Sequence, residues 1–532
     1  MAHGEYDYIV VGGGSAGCVV AGELATRTRR GVLLLEAGDA AEANPETLSA
    51  DGYKDAFAND RVIWQRHSVR QAACGKRSLF MGSGRGMGGS GSVNGMVYLR
   101  GSVADFNEWP PGWQWDDVRD EFATLEQQLI INKRPATELS EVCISAAEQA
   151  GLRRQDDLND GELDGVLGYE WMNYQGDRRR SSYVAFVKPL LEGGSTTLVL
   201  QTGARARRVL FDDQRRAIGV EYEREGEVAT ATARREVVLC GGTLETPKLL
   251  MLSGIGPEAQ LAAQQIPVLV DAPAVGENFH DHPNITLFFK GQREVDFHYP
   301  QLYGFQRINT QSALPQGQSD TCFVFYPARS SLREATIRLL PSMILPPALR
   351  RLPPMSGLVR AGVRLAFLSG ALRRFVNHLY GIVVILGKPR SRGRVRLVST
   401  KVERELEIDP NYFGDPEDLA TTIAGVRQAR RIAQTAALTG WGNREVMPGP
   451  KAETDEQLAR FVRKNAMTTY HYAGTCAMGT APSAVVDPEL RVRGVSRLRV
   501  ADASVIPSVP VSALNAPSML VGYRAARLIA TS

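Results

Sequence analysis

The first polar-free stretch of the chain, Tyr8-Ile9-Val10-Val11, is short and rich in β-branched residues, which reads as a strand buried on both faces. A mostly apolar, helix-like stretch over 18–26 follows, then a second apolar run, Val32-Leu33-Leu34-Leu35, ending at Glu36. This strand–helix–strand order predicts the opening unit of a parallel sheet. Further strands are expected at 198–202, in a pair around 205–223, at Glu236-Val237-Val238-Leu239-Cys240 and at 498–500. A last helix is expected from Pro517, a residue tolerated in a first helical turn, towards Ala530. Residues 357–376 read as one helix, and the Pro/Leu/Arg-rich stretch 341–356 as the least regular part.

Between the first strand and the first helix stands Gly12-Gly13-Gly14-Ser15-Ala16-Gly17. Gly12 permits a tight turn, Gly14 lets backbone NH groups approach a pyrophosphate, and Gly17 lets helix and strand pack closely. The helix N-terminus favours negative charge. Glu36 is placed to accept hydrogen bonds from ribose hydroxyls. These features predict a bound dinucleotide without separating FAD from NAD. No second copy of the fingerprint follows, which argues against a two-nucleotide reductase.

A length of 532 residues suits two domains, which can be interleaved, and 43% hydrophobic content is enough for a large core. A net charge of +4, from 62 basic and 58 acidic residues, gives no reason to expect a nucleic-acid partner. The six cysteines are scattered without ligand spacing, which predicts reduced thiols. No room is left for a signal peptide before the first strand, and no apolar run approaches the roughly 20 residues that span a bilayer. The expected location is cytoplasmic, with a peripheral position on the inner membrane face as its extension.

Two glycine-containing segments, 81–95 and 242–256, and two C-terminal segments, 468–479 and 512–519, resemble the signature segments of the glucose–methanol–choline (GMC) oxidoreductases in order and spacing. The resemblance covers essentially the whole chain. It implies an α/β fold: a discontinuous, Rossmann-like FAD-binding domain (1–155, 195–285 and 464–532) and an α+β substrate domain with an antiparallel sheet (156–194 and 286–463). Carried over residue by residue, it sets FAD against Gly12, Gly14, Ser15, Ala16, Gly17, Glu36 and Ala37. In the glycine-rich segment it adds Arg85, Gly88, Gly89, Val93, Asn94, Gly95, Met96 and Val97. Near the C-terminus it adds Asp502, Ala503, Asn515, Ala516 and Pro517, and an adenine-side backbone contact is expected near Val209. Relatives with covalent FAD carry a histidine immediately before the asparagine of the glycine-rich segment; Val93 stands there in this chain, so a noncovalent flavin is expected.

By the same resemblance His471 is the catalytic histidine and Asn515 its polar companion. The expected reaction is oxidation of a primary, hydrophobic or aromatic alcohol to an aldehyde, with hydride passing to flavin N5. An imidazole with an ordinary pKa of about 6.5 suits the base, and Asn515 can hydrogen-bond the same substrate oxygen without a competing titration. The helix dipole behind Pro517 would favour negative charge on the flavin. Electrons would leave to an acceptor: a quinone, another organic acceptor or O2. A dehydrogenase is preferred; an oxidase making hydrogen peroxide, or a non-redox lyase or photodecarboxylase as found elsewhere in the family, are the alternatives.

Two further signals are weaker. His280-Asp281-His282 has no nearby third ligand and resembles an ordinary family loop, so no metal is expected. Residues 335–402 hold eleven arginines, two lysines and no acidic residue among many apolar ones. That segment suits either a lid over the active site or contact with an anionic membrane surface.

Overall fold

The computed structural model describes residues 4–346, 349 and 352–531. Its first sheet has the strand order Leu198–Gln201, Val32–Leu35, Gly4–Val11, Glu227–Leu239, Ala217–Arg224, Ala204–Phe211, and Leu498–Val500 also pairs with Glu227–Leu239. The members nearest the fingerprint are parallel: Tyr8 to Val11 pair with Val32 to Leu35 on one side and with Glu236 to Leu239 on the other. Val32–Leu35 is buried at every position, as a strand covered on both faces requires. Chain segments that are remote in sequence thus meet in one sheet, and the fingerprint sits at its C-terminal edge.

The helix Ser15–Thr28 covers this sheet and packs against the final helix, Asn515–Ala530. The final helix begins two residues before Pro517, which lies in its first turn where a missing NH removes no helical bond. Because the N-termini of these two helices lie side by side, Ser15 Oγ donates to Asn515 Oδ1 at 2.8 Å.

The second sheet is mainly antiparallel, in the order Arg444–Met447, Pro283–Lys290, Leu379–Leu386, Thr321–Pro327, Leu302–Gln306, Val166–Tyr169, Arg153–Arg154. Met467–Thr468 adds to Pro283–Lys290, so the strand before His471 belongs to this sheet. The helix Pro416–Ala433 packs behind it, on Thr321–Pro327 and Leu379–Leu386.

Two expectations are corrected. Residues 357–376 form not one helix but parts of two, Pro353–Ala366 and Gly370–Asn377, bent by 81°. Ser369 starts the second by accepting the NH of Leu372, a side-chain cap that a serine inside a continuous helix would not supply. The stretch 341–356 is not uniformly irregular either. Pro341 lies inside the helix Ala328–Ile344, Leu349 is helical, and a further helix starts at Pro353; residues 347, 348, 350 and 351 lie outside the described residues.

Candidate active site

A cavity of about 550 Å³ opens at the edge of the first sheet and extends to the second. The fingerprint turn forms one wall. Gly12 has φ +104°, and a side chain there would strike Cys240 O at 2.4 Å, while a Cβ on Gly17 would lie 1.9 Å from Gly12 O. Glycine is therefore required at both, by the turn and by the helix–strand approach respectively. A Cβ at Gly14 would meet nothing within 4 Å, and Gly14 lines the cavity, so the backbone there faces open space. The helix behind it has no side-chain cap, leaving its first NH groups for an anion.

Glu36 lines the same wall. Its Oε2 accepts the NH of Gly13 at 2.8 Å, and its Oε1 accepts those of Gly38 at 2.7 Å and Gly86 at 3.1 Å. It therefore closes the loops as well as facing the cavity, and Oε2 keeps one acceptor position for a ribose hydroxyl. Arg205, also on the wall, has buried Nε and Nη2 atoms with no hydrogen-bond partner among the described residues. An uncapped helix start, a spare carboxylate acceptor and an orphaned guanidinium fit a dinucleotide such as FAD.

Of the other sequence-predicted contacts, Ser15, Ala16, Ala37, Gly89, Val93, Asn94, Gly95, Val97, Asp502, Ala503 and Asn515 line the cavity. Gly17, Arg85, Gly88, Met96, Val209, Ala516 and Pro517 do not. Gly17 serves packing. Arg85 turns its guanidinium over the Trp64 ring, 4.7 Å from the centroid, and Gly88 donates its NH to Gly13 O at 2.7 Å, joining the two glycine loops. Met96 and Ala516 are fully buried. Val209 is corrected most clearly: its NH is committed to Ser253 Oγ at 2.9 Å, and Ala204, Arg205 and Ala206 of the same strand line the cavity instead.

Sequence reasoning also missed contributors. Gly242, Thr243, Glu245 and Thr246 line the cavity, and Asp502 pins their helix by accepting from Gly242 N at 2.8 Å and Thr246 Oγ1 at 2.6 Å. Arg179 is fully buried and clamps the glycine-rich loop through Gly91 O, Asn94 O and Asn94 Oδ1 (2.6–3.1 Å). Burial pushes its guanidinium down to about 9. A basic residue in a polar stretch gives no signal of such burial.

His471 faces the cavity from the far wall, with Asn515 on its lining too. His282 Nδ1 lies 2.9 Å from His471 Nδ1, with the rings nearly perpendicular at 87°. When His471 Nδ1–H is the donor in that bond, its Nε2 carries a free lone pair. Burial pushes the His471 imidazolium down to about 4, so the ring is neutral at pH 7. Asp281, between the two histidines in the HxH motif, accepts His471 N at 2.8 Å, Thr468 Oγ1 at 2.5 Å and the Tyr412 hydroxyl. Burial raises its carboxyl to about 6 despite these donors. Tyr470, immediately before His471, has φ +65°, a strained conformation held by its NH bond to Thr468 Oγ1 at 2.7 Å.

The HxH motif is thus a support for His471. His280 accepts Val509 N at Nε2 (3.1 Å), so its Nδ1 is the protonated nitrogen and donates to Asn278 O at 2.6 Å; both nitrogens are occupied. The clue in the sequence was the motif itself, but its partner lies 189 positions away.

A profile described as GMC oxidoreductase matches residues 6–284, and a second, for the C-terminal part of that family, matches 389–522. The chain belongs to the GMC oxidoreductase family. It is 32% identical to an alcohol dehydrogenase [acceptor] of Pseudomonas putida, over 98% of this chain and 95% of that protein. It is 33% identical to choline oxidase of Arthrobacter globiformis, over 99% and 94% respectively. Pyridoxine 4-oxidase from Mesorbium loti has a similar solved structure, with a TM-score of 0.82, 25% identity and 98% of each chain covered. As a GMC oxidoreductase, this chain is an FAD-dependent enzyme.

Proposed function

We propose that this GMC enzyme oxidises a primary, hydrophobic or aromatic alcohol to the aldehyde and passes the electrons to an organic acceptor, with FAD held noncovalently. The observation that carries this reading is a neutral His471 at the junction of the dinucleotide wall and an aromatic one. Phe57, Phe80, Tyr303, Tyr326 and Tyr470 line the far part of the cavity, which suits an apolar body attached to one reacting hydroxyl. FAD, when bound, supplies the hydride acceptor. His471 Nε2 accepts the hydroxyl proton, His282 fixes the ring through Nδ1, and the Asn515 amide NH2 steadies the substrate oxygen while its carbonyl holds Ser15. The aromatic wall excludes water and fixes the carbinol carbon in place. The relatives named for alcohol and choline oxidation support the reaction class.

One observation favours a second reading. Glu334 lines the cavity near Tyr53 and Tyr326, and a carboxylate among aromatic rings suits a cationic amino alcohol. Lys54 on the same lining offsets that charge, so the neutral alcohol is preferred. An anaerobic screen of aromatic, aliphatic and amino alcohols, following loss of oxidised-flavin absorbance, tests both. Bleaching by none of them overturns the alcohol reading, and bleaching by amino alcohols alone replaces the first reading with the second. Stoichiometric hydrogen peroxide in air would assign O2 as acceptor instead of an organic compound.

A further inference from the structure

Exposed apolar side chains are concentrated in one region of this surface. Among the described residues fourteen large hydrophobic side chains are exposed, and eight of them fall between positions 343 and 375. The most open are Leu368 (72%), Leu365 (70%), Leu358 and Met343 (both 64%). The other six are five valines and an isoleucine scattered singly, as on most proteins.

The concentration lies on and beside the bent helix pair Pro353–Ala366 and Gly370–Asn377. The first of these helices is apolar on two sides. Val363 is buried and Met355 and Val359 half-buried, while Leu358, Ala361, Gly362 and Leu365 face outward. A helix at a water boundary turns mainly polar residues outward; this one turns mainly apolar ones, with Arg364 among them. Arg364, Arg373 and Arg374 are exposed beside the leucines, and among the described residues none of them makes an ion pair. Arg360 is different, being spent on Asp60 at 2.6 Å, an acid that Arg338 also neutralises at 2.7 Å. No acidic residue occurs anywhere in 335–402.

The region adjoins the substrate end of the cavity. The helix Ala328–Ile344 packs under Pro353–Ala366 and sends Ser331, Glu334 and Ala335 to the cavity wall. The helix Tyr53–Ala58 packs on Ala328–Ile344 in turn and supplies Tyr53, Lys54 and Phe57.

We propose that this bent helix pair is a docking surface for an anionic phospholipid membrane. Leu358, Leu365 and Leu368 enter the headgroup–acyl boundary, and Arg364, Arg373 and Arg374 engage lipid phosphates. Charge decides against a second copy of this chain. A two-fold contact through the same face would set three unpaired arginines against three more, with no acid in the segment to answer them. Among the described residues no single helix is long and apolar enough to cross a membrane. The bend and the arginines suit a pair lying in the interface. Docking here would place the cavity wall beside the lipid, where an oily alcohol or a membrane-soluble acceptor resides.

Sedimentation of the FAD-loaded full chain with phosphatidylcholine vesicles, with and without a one-third share of phosphatidylglycerol, tests this without any turnover, so it stands or falls apart from the alcohol reading. Binding is expected on the anionic vesicles and is weakened by salt. Changing Arg364, Arg373 and Arg374 together to Gln is expected to weaken it on the order of 100-fold. The combined variant Leu358→Glu, Leu365→Glu, Leu368→Glu is expected to abolish it with flavin content unchanged, while Val228→Glu, at an exposed valine elsewhere, leaves it intact. Absence of binding to anionic vesicles at low salt overturns the proposal. So does undiminished binding by the triple Leu→Glu variant, or a lipid-free dimer that this variant dissociates, which would make the face an interface between copies.

Discussion

Replacing His282 with Ala removes the one hydrogen bond that the His471 ring makes among the described residues, the 2.9 Å contact between their Nδ1 atoms. His282 is fully buried and does not line the cavity, so its effect on an alcohol must pass through His471. Without it, His471 Nδ1 is left buried and unpartnered in the tautomer that acts as a base, which costs about 1–3 kcal/mol. If that cost falls on the reactive arrangement, it slows proton removal about 5- to 150-fold. The assay is stopped-flow reduction of the flavin by the best alcohol of the screen, under anaerobic conditions, as a function of pH. Flavin content should stay at the parent level, because the dinucleotide wall is built from other segments. Water entering the space left by the imidazole should relieve the burial that depresses His471, so the acid limb of the pH profile moves up from about 4 towards the ordinary value. His282→Asn should recover part of the rate, since its Oδ1 can stand near the lost Nδ1 and accept the same proton. A reduction rate within about threefold of the parent in His282→Ala, or equal rates and equal pH profiles in the Ala and Asn variants, would refute the positioning role.

Three further outcomes follow from the same geometry. Gly17→Ala sets a methyl carbon 1.9 Å from Gly12 O, a backbone atom that has no room to yield, so the purified variant should lose its FAD; stoichiometric flavin absorbance after gel filtration would contradict this. With His471 held at about 4, His280 at about 3 and His282 lowered as well, these histidines bind more protons in the unfolded chain below the ordinary 6.5; Asp281, raised to about 6, and the raised carboxyls of Glu121, Glu170, Asp418 and Asp502 oppose them. The His280 contribution is present above about 6.5 and is lost as pH falls towards 3, so the Tm loss caused by His280→Gln should be larger at pH 7 than at pH 5; an equal or smaller loss at pH 7 would contradict it. Because Val93 offers no nucleophile before Asn94, acid precipitation should release the flavin into the supernatant and leave the intact mass of the bare chain, whereas a flavin-sized mass increment on the protein would show a covalent bond.

The amino-acid sequence alone determined the local chemistry. All-apolar runs such as Val32–Leu35, short and flanked by turn residues, suit a strand covered on both faces, and the glycines at 12 and 17 permit a backbone path that other residues obstruct. Those are short-range consequences of sterics and burial, and so the dinucleotide turn and its flanking strands were legible. His471 and Asn515 were legible only through the resemblance, because nothing local distinguishes a reactive histidine from a structural one. What the tertiary structure decided were pairings across long separations. His282 meets His471, Ser15 meets Asn515, and Arg179 reaches Asn94, each through side chains whose directions depend on how elements remote in sequence pack together. It likewise moved the expected Val209 contact to Ala204, Arg205 and Ala206, since which part of a strand borders a cavity depends on what else packs against it. It also broke the expected helix at 357–376, where composition gave periodicity but the Ser369 cap and packing over Ala328–Ile344 accompany the 81° bend. A sequence carries its backbone preferences residue by residue, while a hydrogen bond between distant side chains exists only once the whole chain has folded.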